Sequence, residues 1–189
     1  MKKAIAALAA LVMLATPAAA HVGVGSTSSF MAGLAHPLTG ADHMAAMLAV
    51  GLWSALAGGP RVWAWPIAFS GAMLVGAVLG FYGVAMPMVE PAIAASVIVL
   101  GLLVAAGAAI PVAAGSALVA MFGIAHGHAH GSEGTGATFV AYASGFLIST
   151  VGLHLAGIGL GKAIAAQRIW WARGIGLATA AVGVALLIQ

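Results

Sequence analysis

The chain of 189 residues contains no cysteine, which excludes disulfides and every thiolate metal site. Charge is almost as scarce. Asp, Glu, Lys and Arg make up 5% of the residues, against about 25% in an ordinary soluble domain. A surface so poor in charge cannot face water on all sides. Six basic residues stand against three acidic ones, and no run of them could track a phosphate backbone, so nucleic acid is not an expected partner. No G-x-x-x-x-G-K-[ST] loop is present, so an ATP-driven motor would need another chain. No G-x-S-x-G elbow is present either.

What the chain does contain is apolar residues, 63% of the total. The expected fold is all-α: a polytopic membrane protein of about six transmembrane helices that follow a cleavable signal peptide. Lys2 and Lys3, a short apolar run and the small residues Ala18-Ala19-Ala20 mark residues 1–20 as that signal. Residues 21–189 then form a single transmembrane domain, and cleavage makes His21 its first residue. A terminal histidine offers an α-amine and an imidazole together, a chelate for a divalent metal. Spans are expected near 30–56, 62–83, 92–109, 112–125, 137–160 and 170–189. The first should break or kink near Pro37, which lacks an amide hydrogen and disfavours helix at His36. Trp63 and Trp65 read as interfacial anchors of the second. A secreted N-terminus and six spans leave both termini outside the cytoplasm. Arg61, Lys162 and Arg168 then fall inside, as the positive-inside rule expects. The expected location is the inner membrane of a bacterium, with the lipid bilayer as surroundings and both termini periplasmic.

Seven histidines outnumber the lysines and arginines combined. Within the first span, His36 and His43 lie two helical turns apart and share a face with Met47, while Asp42 sits beside that stripe. Ionisable groups at membrane depth are costly and usually mark a pathway or a site. A second cluster closes the fourth span. If helix continues through it, His126, His130 and Glu133 share one face and His128 points away; if it is extended, His126, His128 and His130 align instead. Helix is preferred, because the span runs straight into the segment with no intervening proline. Imidazole and carboxylate without thiolate suit nickel, cobalt, zinc or copper(II), and calcium and magnesium poorly. Ligation requires neutral imidazole, so binding should weaken as the pH falls through the histidine range.

H-x5-D-H near the start of the mature chain, then H-G-x-A-H-G-x-E after a later span, resembles the HupE/UreJ family. The likeness covers the signal, the size and the span count, and Ala125 stands where many relatives have phenylalanine. The resemblance implies a permease, not an enzyme, that supplies nickel, or in some members cobalt, for hydrogenase or urease maturation. It points to His36, Asp42, His43, His126, His130 and Glu133 as the metal-handling residues. The ion is then cargo, and no prosthetic group is expected.

His154, alone in the fifth span, reads as a helix–helix hydrogen bond or as a lower ligand that passes the ion inward. Glu90, between Pro87 and Pro91, is a candidate for attracting the cation. Met44, Met73, Met86 and Met88 read as gap-filling residues, and Ser70, Ser144, Ser149 and Thr150 as packing groups. Met47 is singled out by its place on the histidine stripe. Two other classes compete. An intramembrane serine protease would use Ser70 with His154, and a haem-binding subunit would use axial histidines from two spans. Each leaves one or both motifs unexplained.

Overall fold

The computed structural model describes residues 30–133, 138–165 and 169–188. The expected signal segment and His21 lie outside the described residues. Within them the chain is all-helical: α1 (Phe30–Thr39), α2 (Ala41–Ala57), α3 (Arg61–Phe81), α4 (Val89–Ala106), α5 (Val112–Glu133), α6 (Phe139–Ala165) and α7 (Ile169–Leu187). Five of these, α3 to α7, are long and apolar enough to cross a membrane. The apolar α2 is shorter, and with α1 it forms the interrupted first element.

The interruption lies at Gly40 rather than at Pro37, which is buried inside α1. Pro37 withdraws one donor, but the helix runs on until the Thr39 hydroxyl and the Gly40 amide close on the His36 carbonyl, at 3.0 and 3.3 Å. Gly40 then turns extended, at φ −85° and ψ 120°, and α2 begins. A Cβ at Gly40 would stand 2.8 Å from Asp42 Oδ1 and 3.1 Å from His43 Nδ1. Glycine at the break is what lets those two side chains fold back over it.

Without a hydrophobic drive between helices in lipid, small residues that admit a neighbouring backbone decide the pairing. Gly123, Gly127 and Gly131 of α5 rest on the carbonyls of Phe69, Met73 and Ala77 of α3, so these helices run parallel. Gly51 of α2 meets the His154 carbonyl of α6, and Gly161 of α6 meets Leu52 and Ala55, so α2 and α6 are parallel too. Gly101 and Gly183 set α4 and α7 side by side in opposite directions. Such directions are those of an alternating up-and-down chain.

One end of the bundle is closed by aromatic rings. Trp53 of α2 and Trp65 of α3 stack at 3.8 Å, both fully buried. Their indole N–H groups donate to the carbonyls of Ala108 and Val112, and Arg61 donates to Ile110. Trp65 is therefore an internal plug, and only Trp63, 55% exposed, keeps the position expected of an interfacial anchor. Single-sequence reading missed this because both tryptophans look alike until α2 packs on α3.

Two glycine substitutions separate packing from propensity. Gly127→Ala drives a methyl group into the Met73 carbonyl and should cost about 1–3 kcal/mol. Gly152→Ala, with nothing within 4 Å, should be neutral or gain up to about 1 kcal/mol of helix propensity. Thermal unfolding of the two variants in detergent should shift in opposite directions or by clearly different amounts.

Candidate metal centre

Asp42 and His43 occupy the first turn of α2. Asp42 Oδ1 accepts both the His43 backbone N–H and its Nδ1–H, each at 2.7 Å. A carboxylate only accepts, so the Nδ1 proton is held in place and Nε2 keeps its lone pair. On α5, His126 and His130 stand one turn apart on the face that the expected helix predicts. His126 Nδ1–H donates to the Phe122 carbonyl at 3.0 Å, which frees its Nε2 in the same way. The His130 ring stacks on Phe146 of α6 at 4.7 Å. His43 is 6% exposed and His126 and His130 are fully buried, yet among the described residues His43 Nε2, His126 Nε2 and both nitrogens of His130 have no hydrogen-bond partner. Each such group costs about 1–3 kcal/mol when left unpaired.

These atoms converge. The His43 ring centroid is 4.6 Å from that of His130 and 5.0 Å from that of His126. His36, in the last turn of α1, lies 4.8 Å from His130 and 5.6 Å from His43. Taking one ligand atom each, His36, His43 and His130 fall within 4.8 Å of one another. Three imidazoles from three helices can thus close on one cation, with His126 beside them.

The helix ends add to the field. The C-terminal ends of α1 and α5, the negative ends of their dipoles, reach the cluster through His36, His130 and Glu133. The N-terminal end of α2 brings the opposite sign, and Asp42 in its first turn offsets it. Glu133 takes the outer position: its carboxylate is 3.5 Å from His36 Nδ1 and its side chain is 44% exposed. The Tyr142 hydroxyl donates to it at 3.3 Å. Asp42 and Glu133 therefore hold and orient the rings, whereas the three grouped ligand atoms are imidazole nitrogens.

Other candidates are placed elsewhere. His128 faces away, as the helical alternative requires, and Nε2–H donates to the Val84 carbonyl at 2.7 Å. Glu90 is exposed in the first turn of α4 and does not join the cluster. Met47 is buried one turn inside His43, against Thr150. His154 is buried, and its ring is separated from His126 by Phe69, which touches both at 5.3 and 5.4 Å. His154 Nδ1 does meet Ser70 Oγ, at 3.5 Å. Its Nε2 has no partner among the described residues, so none of them orients the ring as a nucleophile's base requires. Tyr142 and Phe146 were missed from the sequence. The signal for them was there, because Tyr142, Phe146, Thr150 and His154 recur every fourth residue along α6.

The donor set, imidazole nitrogens flanked by carboxylates, is one that borderline divalent ions favour. The family model described as HupE / UreJ protein matches residues 9–186. "Protein HupE" of Rhizobium leguminosarum bv. viciae is 46% identical over 185 residues, covering 94% of this chain and 95% of that protein. No solved structure matches the chain. The protein is a member of the HupE/UreJ family.

Proposed function

We propose that this chain is a permease that carries nickel ions inward across the bacterial inner membrane, to supply a hydrogenase or urease maturation route. The observation that carries the reading is the meeting, inside an apolar bundle, of three buried imidazoles, His43, His126 and His130, each with a ring nitrogen that has no partner among the described residues. A neutral imidazole keeps one lone pair, so each ring offers one nitrogen to a cation. In this reading His36, His43, His126 and His130 are the ligands, Asp42 orients His43, and Glu133 receives the ion at the mouth. Orientation follows from charge. Arg61 and Lys162 lie at one end of the bundle, where α2 and α6 finish together, whereas Asp42, Glu133 and Glu90 lie at the other. Basic residues toward the cytoplasm put the histidine mouth on the periplasmic side, along with both termini. Cobalt is the second cargo that the same donors would accept.

Uptake of nickel-63 by cells tests this. His43→Ala and His130→Ala should each lower uptake at least tenfold at unchanged membrane level; normal accumulation by inserted variants would refute the proposed pathway. Asp42→Asn preserves the shape but frees the His43 ring from its charged partner. It should weaken nickel affinity by about 10–100-fold, read by titration of the purified protein against a chelating dye. Excess cobalt, zinc and copper should each compete with labelled nickel, copper(II) most strongly on donor affinity alone.

A further inference from the structure

Immediately inside the histidine cluster, three helices meet at one hydroxyl. Thr150 of α6 is fully buried, and its Oγ1 lies 3.3 Å from Met47 Sδ of α2 and 3.7 Å from Met73 Sδ of α3. Ser149 of α6 donates across to the Leu34 carbonyl of α1 and Ser70 meets His154, so Thr150 is set apart by having two sulfurs as partners. Five other hydroxyls stay on their own helix. Ser54, Ser144 and Thr179 each donate to the carbonyl four residues back on their own helix, and Ser96 and Ser132 to the one three residues back. Thioether sulfur is a weak acceptor, so directing a buried hydroxyl at two of them gains little for packing alone. Met47 is one turn inside His43 on α2, and Thr150 is midway between Phe146, which stacks on His130, and His154. His154 Nε2, on a ring 2% exposed, has no partner among the described residues. Turn by turn along α6, Thr150 with its two thioethers thus follows Phe146, and the His154 imidazole follows Thr150.

We infer that Met47, Met73 and Thr150 form a second cation station, one helical turn inside the histidine cluster, that passes a borderline divalent ion toward His154. This rests on the permease reading above and deepens it. The chemistry is that of a discriminating relay. Two neutral thioethers and a hydroxyl bind borderline ions weakly, and they cannot replace the oxygen shell of magnesium or calcium. Weak binding suits a station that must release its ion, since conduction requires sites that can be left as well as filled. None of the three side chains carries a charge to trap the cation.

The full chain reconstituted in liposomes, with Ni2+ alone as probe, tests the station. Met47→Leu/Met73→Leu preserves side-chain volume while removing both sulfurs. Nickel affinity at the histidine cluster should stay within about twofold of wild type, and the initial rate of uptake should fall at least tenfold. The nickel-edge X-ray absorption of wild-type protein loaded with two equivalents should contain sulfur scatterers that the double variant lacks. Thr150→Val, which keeps the shape and loses the hydroxyl, should lower uptake similarly and serves if the leucine pair fails to insert. A wild-type spectrum with only nitrogen and oxygen scatterers overturns the station, as does a leucine pair that transports at the wild-type rate. Neither result touches the permease reading, which falls instead if wild-type protein neither binds nor carries nickel.

Discussion

The contact between Asp42 and His43 is the constraint on which the rest of the site depends. One carboxylate oxygen takes a backbone amide and a ring N–H from the same residue, so the start of α2 and the direction of the His43 lone pair are set together. Gly40 permits the arrangement by leaving out the Cβ that would occupy the carboxylate's place. Asp42 also supplies negative charge where the α2 dipole would otherwise present a positive end to a cation. Break, cap, ring orientation and local field are thus one structural unit of four residues.

That unit would be idle without the close helix pairs. His126 and His130 reach His43 because glycines on α5 let it sit on the α3 backbone, with the intervening His128 turned outward to the Val84 carbonyl. The α6 helix completes the wall with a face of Tyr142, Phe146, Thr150 and His154, which contacts Glu133, the histidine cluster, the methionine pair and Ser70 in turn. At the far end Trp53 and Trp65 close the bundle. Its buried polar side chains, His43, His126, His130, Thr150 and His154 among them, lie inside an apolar exterior, as lipid surroundings require.

Much of this was legible in advance. The scarcity of charge dictated membrane helices, the helical period put His126, His130 and Glu133 on one side, and the spacing of His36 and His43 put those two on another. The sequence also announced a break in the first element but misplaced it by three residues: α1 absorbs the donor that Pro37 lacks and runs on to Thr39. The turn itself was decided by what had to pack over Gly40. Trp65 was read as a surface anchor for the same kind of reason: its partner, Trp53, lies on another helix.

The sequence alone therefore determined the elements, their faces and the kinds of donor available, since these follow from composition and a period of 3.6 residues. Only the tertiary structure decided which donors meet. Asp42 and Glu133 looked equivalent as carboxylates, yet one is folded onto an imidazole within its own turn and the other stands half-exposed at the lip. Thr150 and Met47, 103 residues apart, carried no mutual signal until α2 and α6 were brought into register. The physical reason is that a helix's face is a local property of its sequence. The partner of that face is set by glycine contacts between distant segments, which no single stretch encodes.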